Sequence, residues 1–486
     1  MAKQTELTQR VASGVAWSIS EKVGSALLQI VVSIVVANRV MPIDRGIIAI
    51  LTVFTVLAQV VVDSGFSQTL IRKSSPDERD FNAVFGFNIL LSIILYVTLT
   101  AIAPFVADFY GWPTLTKVAP VLFLLLPLNA LCVIQNTIMV REFRFAQLST
   151  IVLLSSVISG ILAIAMALAG CGIWSLVGQR VSLMAAKAAL LWHQSSWRPK
   201  RIKGFGALRS MAPYSLRLMA TDLIMAIYNN IAQLFIGGIY SGNALGYFDQ
   251  AQKLKDMPVN STMQSIQSVT FPALSKIQDN EVKFTEGYKR ILMMTAFIIF
   301  PIMAGLIATA EQFYTLLLKP DWHPAIPYFR ILCMIGLFYP MAAIAYNILK
   351  VRSDGSIILK LEIAKKIIMT IIFAVTIPHS VKAIAWGLVA MSVCEMGLNF
   401  VATSRYTKPH TWDLIKTILP IAMLTAAMYG VVMAAGISVE RYGVAICLVT
   451  KIATGFIFYP LAAWILRMKA FNEAKELAKQ FLSKKQ

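Results

Sequence analysis

Long apolar stretches separated by short polar breaks recur fourteen times along this chain. They fall near residues 14–37, 47–70, 82–107, 118–140, 149–170, 172–193 and 213–238, then near 247–273, 288–318, 326–350, 356–378, 382–404, 413–436 and 442–466. A helix needs roughly 20 mostly apolar residues to cross about 30 Å of hydrocarbon, and most of these stretches are long enough. The pattern predicts an all-α polytopic membrane protein with about 14 transmembrane helices.

Inside four of the stretches the polar residues are ordered. In the eighth, Asp249, Lys253, Asp256, Asn260, Gln264 and Gln267 follow one another at spacings of three and four. On a helix they fall within an arc of about 80°. The first groups Ser18, Glu21, Lys22, Ser25 and Gln29, and the second Thr52, Thr55, Gln59, Asp63 and Ser67. The seventh groups Arg217, Thr221, Asp222, Tyr228, Asn229 and Gln233 on a wider arc. A charge facing lipid at mid-depth costs at least about 2.5 kcal/mol, so these faces are expected to avoid lipid. Two arrangements satisfy that: the faces line one hydrated cavity, or the groups pair and hold helices together. Arg180, Lys187, Glu395 and Lys451 also lie deep in their spans. Arg141 and Arg352 end their spans, and Lys360, Lys365 and Lys366 sit near the start of another, where long side chains are expected to snorkel to the interface.

The chain also repeats itself. Asn136-Thr-Ile-Met-Val-Arg141 returns as Asn347-Ile-Leu-Lys-Val-Arg352 at an offset of 211 residues, and Trp174-Ser-Leu-Val177 returns as Trp386-Gly-Leu-Val389 at 212. Gly46 has a counterpart in Gly246, 200 residues on. The repeat predicts a six-helix lobe over 1–194, a cytoplasmic linker over 195–212, a second six-helix lobe over 213–405, two additional spans over 406–466 and a cytoplasmic amphipathic tail over 467–486. In that tail Phe471, Ala474, Leu477, Ala478, Phe481 and Leu482 share a face. Because six is even, both copies enter the membrane from the same side and are related by an axis along its normal. The repeat also demands a helix over Gly246–Lys276, which hydropathy alone rejects. It pairs the first span with the seventh and the second with the eighth.

Composition agrees with a membrane location: 57% of the 486 residues are hydrophobic, 14% are charged and the mean hydropathy is +0.69. The net charge of +20 is compatible with nucleic acid until its placement is read. One set of connecting segments and the tail carry most of the lysines and arginines, whereas the alternate loops carry only Arg39, Arg45, Lys117, Lys319, Lys382 and Arg441. That bias predicts both termini in the cytoplasm of a multi-pass membrane protein, and no nucleic-acid partner. The outer loops are too short for a domain, the longest being near Asp108–Lys117 and Pro320–Ala325. Glu21 and Lys22 interrupt the first apolar run, so it is not expected to be cleaved as a signal peptide.

The five cysteines lack any CxxC pairing and read as small core residues. Four scattered histidines predict no metal site, and HExxH, GxSxG and GxxxxGK[ST] motifs are missing. Gly204-Phe-Gly206-Ala-Leu-Arg209 starts like a dinucleotide fingerprint but lacks its last glycine and its strand. No catalytic residues, enzyme activity or cofactor is therefore expected. A transporter without a nucleotide site would run on a substrate gradient, on product consumption, or on coupling to H+ or Na+. Prolines 104, 120, 127, 258, 272, 301, 327 and 340 permit bends in the spans.

Twelve spans in two parallel repeats plus two more resemble the MOP exporter superfamily, and in particular its polysaccharide transporter branch, the Wzx-type flippases, most of all the WzxC-type colanic acid exporters. The likeness rests on Phe271-Pro-Ala-Leu-Ser-Lys-Ile-Gln-Asp279, Phe300-Pro301, Gly305-Leu306, Trp322 with Ile326-Pro327, and Leu332-Cys-Met-Ile-Gly-Leu337. Gly14–Lys73 adds the turn from Arg39 to Gly46 and Asp63-x-Gly-Phe. The resemblance implies a MOP/MATE-like fold in a bacterial inner membrane. It also implies flipping of an undecaprenyl-pyrophosphate-linked oligosaccharide, a capsule, exopolysaccharide or O-antigen unit, to the periplasmic leaflet by alternating access. A polysaccharide polymerase and export machinery are the partners it suggests. On that view Lys22, Lys253 and Arg217 meet phosphate or acidic sugars, and Asn229, Gln233, Asn260, Gln264 and Gln267 hydrogen-bond hydroxyls. Gln29 and Gln59 complete the candidate cavity lining. Glu21, Asp63, Asp222, Asp249, Asp256 and Glu395 are the candidates for ion coupling. Three other readings stay open: a lipid II flippase or MATE-type antiporter of the same superfamily, a membrane polysaccharide polymerase, and a scaffold for glycan assembly.

Overall fold

The computed structural model describes residues 24–25, 28–73, 75–200, 206–276, 280–353 and 356–483, with the side chains of 207, 264–276, 356 and 477–483 outside that description. Glu21 and Lys22 lie outside the described residues, as do the side chains of Gln264 and Gln267.

Every regular element among the described residues is helical. A short apolar helix α1 (Leu28–Ala37) is followed by α2 (Pro42–Asp63), α3 (Phe66–Arg72), α4 (Glu78–Tyr110), α5 (Thr114–Phe123), α6 (Leu125–Arg141), α7 (Phe145–Leu168) and α8 (Ile173–Gln194). Then come α9 (Gly206–Ile239), α10 (Gly242–Lys276), α11 (Glu281–Leu317), α12 (Ile326–Arg352), α13 (Ser356–Thr376), α14 (Val381–Thr403), α15 (Thr411–Val439), α16 (Val444–Ile465) and α17 (Lys469–Ser483). Ten of the described segments are long and apolar enough to cross a membrane. The other four expected spans map onto α1, α8, α10 and α13. The polar content of the last three hides them from hydropathy: Arg180 and Lys187 on α8, four charges from Asp249 to Asp256 on α10, and Lys360 to Lys366 on α13.

Local chemistry sets the helix ends. Pro42 occupies the first turn of α2, where a missing N–H costs nothing. Asp77 caps α4: its carboxylate accepts from Asp80 N–H at 2.8 Å, and Asp80 accepts in return from Asp77 N–H at 3.0 Å. Asn280 and Ser380 cap α11 and α14 one way only, their side chains accepting from Lys283 N–H and Ala383 N–H. The α5–α6 break falls at Leu124, where Pro127 cannot donate to the carbonyl one turn back and its ring crowds that carbonyl.

The chain forms two compact units, Met1–Asp249 and Gln250–Gln486. In the first, α2 packs on α4, α6 and α9, and α7 pairs with α8 as a hairpin turning at Gly170–Gly172. In the second, α12 packs on α14 and α11, and α15 on α11 and α16. The second unit's main core is a ridge on α11: Phe284, Tyr288, Leu292, Ala296 and Phe300, spaced by four, meeting Met341, Ile344 and Ile348 of α12 and Leu414, Ile418 and Ile421 of α15. Outward faces stay apolar: Leu90, Ile94 and Val97 on α4 and Val449, Phe456 and Leu461 on α16 are exposed, as suits contact with lipid. The boundary between units falls inside α10, because α9 and the start of α10 pack against α2. Compactness and sequence repeat are different properties, and this boundary does not coincide with the expected linker at 195–212.

The repeat has a direct structural trace. A Cβ on Gly46 would fall on the carbonyl oxygen of Gly242, and a Cβ on Gly246 would fall on the carbonyl oxygen of Pro42. Under the 200-residue offset Gly46 corresponds to Gly246 and Pro42 to Gly242. The two contacts are therefore copies of each other, and the first turns of α2 and α10 meet backbone to backbone about a local two-fold.

Candidate functional site

Helix α2 stops at Asp63. Ser64 and Gly65 both adopt left-handed conformations, with φ of 45° and 68°, and the chain restarts as α3. Glycine is required at 65 for a second reason: a Cβ there would sit 2.7 Å from the carbonyl oxygen of Ser215 on α9. Thr69 Oγ1 and Ser215 Oγ lie 2.7 Å apart and fasten the restarted helix to α9. A broken helix within a membrane span places a side chain beside backbone groups that no longer bond to each other, the arrangement used where transporters hold ions or polar substrates.

Asp63 stands at this break, half-buried, and its carboxylate accepts a hydrogen bond from Asn129 Nδ2 on α6 at 3.3 Å. Lys187 of α8 and Asp222 of α9 lie within its electrostatic reach. Four helices thus bring two carboxylates, one ammonium group and one amide together. The negative end of the α2 dipole adds to the preference for a cation there. Asp63 and Asp222 were expected at a site. Lys187 was noted only as a deep charge, and Asn129 was missed because nothing marks an isolated Asn 66 residues from its partner.

A second cluster lies where α2 meets α10. Arg45 Nε donates to Asp249 Oδ2 at 3.2 Å, both side chains being buried, and Arg45 Nη2 donates to Ser33 Oγ of α1 at 3.5 Å. Arg180 of α8 interacts electrostatically with both members of the pair. Asp249, expected as a cavity or coupling group, is therefore a buried partner of arginine. Arg45, expected in an outer loop, lies within the first turn of a helix that begins earlier than the apolar run.

The second unit holds a third cluster. Lys365 Nζ lies 3.0 Å from Glu362 Oε1 and 3.2 Å from Glu395 Oε1, and 4.7 Å from the centre of the Tyr346 ring. Only 3% exposed, it does not snorkel as expected; two carboxylates hold it inside α12–α14. Asp256 pairs with Lys255. Tyr339 feels both Asp256 and Glu395. Arg141, also expected to snorkel, turns back and donates to the carbonyls of Ile71 at 3.0 Å and Lys73 at 2.8 Å, closing the C-terminus of α3.

The remaining candidates are spread out. Gln59, Asp222 and Lys253 are half-buried, Gln233 is buried, and Gln29, Arg217, Asn229 and Asn260 are exposed. Lys451 of α16 donates to the Ala308 carbonyl at 2.9 Å and to Gln312 Oε1 at 3.0 Å, passing Gly436 so closely that a Cβ there would strike its chain. It joins α16 to α11. Among the described residues no cluster of His, Cys, Asp and Glu has metal-ligand geometry.

Comparison with known proteins places these clusters in context. Over 96% of its length the chain is 23% identical to the teichuronic acid biosynthesis protein TuaB of Bacillus subtilis (strain 168), covering 97% of that protein. It is 22% identical to the succinoglycan biosynthesis transport protein ExoT of Rhizobium meliloti (strain 1021), over 86% of this chain and 85% of that one. To the lipopolysaccharide biosynthesis protein WzxC of Escherichia coli (strain K12) it is again 22% identical, over 74% of this chain and 73% of that one. Its fold is that of the lipid II flippase MurJ in an inward closed conformation, with a TM-score of 0.74 at 15% identity over 93% of this chain and 99% of that one. An inward-facing MATE transporter of the MOP superfamily matches with a TM-score of 0.60 at 14% identity, covering 83% and 95%. The fold is therefore all-helical, polytopic and MurJ/MATE-like. The sequence profile described as "Polysaccharide biosynthesis protein" matches residues 35–327, more than half of the chain, and the protein belongs to that family of multi-pass membrane proteins.

Proposed function

We propose that this protein is a flippase that moves an undecaprenyl-pyrophosphate-linked oligosaccharide from the cytoplasmic to the periplasmic leaflet, with both termini in the cytoplasm and its two six-helix repeats exposing the polar faces alternately. The observation that carries the proposal is the broken helix at Asp63 with Asn129, Lys187 and Asp222 around it, in a chain of the polysaccharide biosynthesis family. A membrane helix keeps a break and a carboxylate at depth at considerable cost, and transport is the function that uses both. Asp63 and Asp222 exchange the coupling proton or sodium ion. Arg217 and Lys253 meet the pyrophosphate or acidic sugars, and Asn229, Gln233 and Asn260 hydrogen-bond sugar hydroxyls. Relatives named for teichuronic acid, succinoglycan and lipopolysaccharide support a glycan substrate, with a polymerase and export machinery acting on the product.

The test is a flipping assay. The purified protein is placed in liposomes with lipid-linked oligosaccharide, and a membrane-impermeant glycan-modifying enzyme reports the leaflet. Glycan is expected to cross faster than in empty liposomes, and Asp63→Asn is expected to slow it while leaving the protein folded. If wild-type protein moves no glycan under either a proton or a sodium gradient, the proposal fails. The match to MurJ over nearly the whole chain makes lipid II the comparison substrate, and crossing of lipid II alone would transfer the proposal to that class.

A further inference from the structure

At the end of the second unit where α11 begins, a cavity of about 890 Å3 opens between the first turns of α11, the early turns of α15 and the corner joining α16 to α17. Its rim is basic: Lys283, Lys289, Arg290, Lys416 and Lys469 line it, against the carboxylates of Glu286 and Glu473. Arg290 Nε engages Glu473 at 2.8 Å, so one of those carboxylates already has a cation. Part of its lining is apolar. Met293, Ile421 and Met468 line it, Leu466 adds an exposed apolar side chain, and Ile421 belongs to the same buried core as Ala470 of α17.

Each half of this arrangement is ordinary alone. Exposed lysines are commonly a solvated face, and exposed apolar residues on a membrane helix face lipid. Together at one mouth they suit one kind of molecule, an amphiphile with an anionic head. The height is right as well. Trp412 on α15 and Trp464 on α16 are exposed beside the mouth, as aromatic residues are at the level of lipid head groups. From there Leu419 and Met423 of α15 and Leu461 of α16 present exposed apolar surface along the spans. Basic pockets between transmembrane helices at the membrane surface recognise anionic phospholipids.

We propose that this pocket binds an anionic glycerophospholipid of the adjoining leaflet. The phosphate ester lies among Lys283, Lys289 and Lys416, and the acyl chains run over α15 and α16. The bound lipid fastens α17, whose Ala470 is buried in the core and whose Glu473 is held by Arg290. This site is separate from the Asp63 cluster and does not depend on which glycan is carried.

Native mass spectrometry of the full chain, delipidated and then titrated with phosphatidylglycerol or phosphatidylcholine, reads the site directly. Each cation near a charged lipid is worth about fivefold in affinity, so Lys283→Gln/Lys289→Gln/Lys416→Gln is expected to weaken phosphatidylglycerol binding by roughly a hundredfold. Phosphatidylcholine binding is expected not to change. The control Lys319→Gln/Lys382→Gln, at the opposite ends of α11 and α14, is expected to bind phosphatidylglycerol like wild type, and intact melting of both variants shows that they are folded. Equal retention of the two lipids by wild type overturns the proposal, as does a triple variant that binds normally. Two competition arms separate the sources of phosphate. Displacement of phosphatidylglycerol by inorganic phosphate makes this a free-anion site, and displacement by undecaprenyl phosphate assigns it to the polyprenyl substrate; either result overturns a phospholipid site. A protein that binds phosphatidylglycerol here but moves no glycan leaves this inference standing while the flippase reading fails.

Discussion

The cluster at the α2–α10 contact allows a prediction of order as well as size. Arg45 and Arg180 are cations and Asp249 is the anion between them. Arg45→Gln leaves Asp249 the attraction of Arg180, and the cost is about 1–2 kcal/mol for the lost buried hydrogen bonds. Asp249→Asn takes from Arg45 the carboxylate that its Nε donates to, and leaves Arg180 with the repulsion of Arg45 and without the attraction of Asp249. Removing one member of a buried pair costs about 3–5 kcal/mol, and the repulsion places this variant at the upper end. The Arg45→Gln/Asp249→Asn double variant removes the Arg45–Arg180 repulsion, so it is expected to be more stable than Asp249→Asn alone although it carries one more substitution. The assay is thermal unfolding of the purified protein, followed by tryptophan fluorescence at fixed detergent concentration. At roughly 2–4 °C per kcal/mol for a unit of this size, Asp249→Asn is expected to lower Tm by about 6–20 °C. Arg45→Gln is expected to lower it by about 2–8 °C, with the double variant between the two. A double variant that melts below Asp249→Asn, or an Arg45→Gln that costs more than Asp249→Asn, refutes the view that Arg180 shares the aspartate.

Three further outcomes are expected. Gly46→Val should destabilise by about 3 kcal/mol or more, because its Cβ meets a backbone oxygen that cannot rotate away; Gly246→Val should match it, and a benign result for either in a melting assay contradicts the close approach. Lys365→Met leaves Glu362 and Glu395 facing each other inside α12–α14 and is expected to cost about 3 kcal/mol, most of which Lys365→Met/Glu395→Gln recovers in the same assay. Asp77, on the loop before α4, has its carboxyl held below the ordinary aspartate range, chiefly by the hydrogen bond from Asp80 N–H. Its stabilising contribution is therefore present above the ordinary aspartate range and lost as pH falls through the lowered value, so Asp77→Ala should destabilise near neutral pH, and the difference from wild type should vanish in strong acid.

Apolar length and internal repetition made the helices legible, and repetition succeeded where hydropathy did not. Helix α10 carries Asp249, Lys253, Lys255 and Asp256 within two turns and still forms, as its likeness to the second span requires. The site was less legible because its partners come from distant helices. Asp63 meets Asn129 across the bend that Pro127 imposes on the α5–α6 span, and no spacing rule connects residues 63 and 129. Lys365 looked like an interfacial lysine because its distance from the helix start was readable, whereas Glu395 lies on the neighbouring helix α14. Arg45 looked like a loop cation because the apolar run begins after it, although Pro42 had already started the helix. In each case the sequence carried the group and its depth, while the identity of its partner depended on helix packing.

The reciprocal glycine contact bears on how such a chain can arise. Gly46 against Gly242 and Gly246 against Pro42 are one contact written twice, so the surface around Pro42–Gly46 is complementary to its own copy. Self-complementarity of this kind is what a two-fold homodimer interface requires. A half-length chain bearing only the first repeat would therefore already possess, in one patch, both sides of the joint that now holds α2 against α10. Fusing two such halves creates no new recognition; it fixes the partner's concentration and frees each copy to diverge. The divergence is visible beside the joint, where Arg45 has Leu245 as its counterpart and Asp249 has Ala49, so that a symmetric backbone contact now carries a one-sided ionic lock.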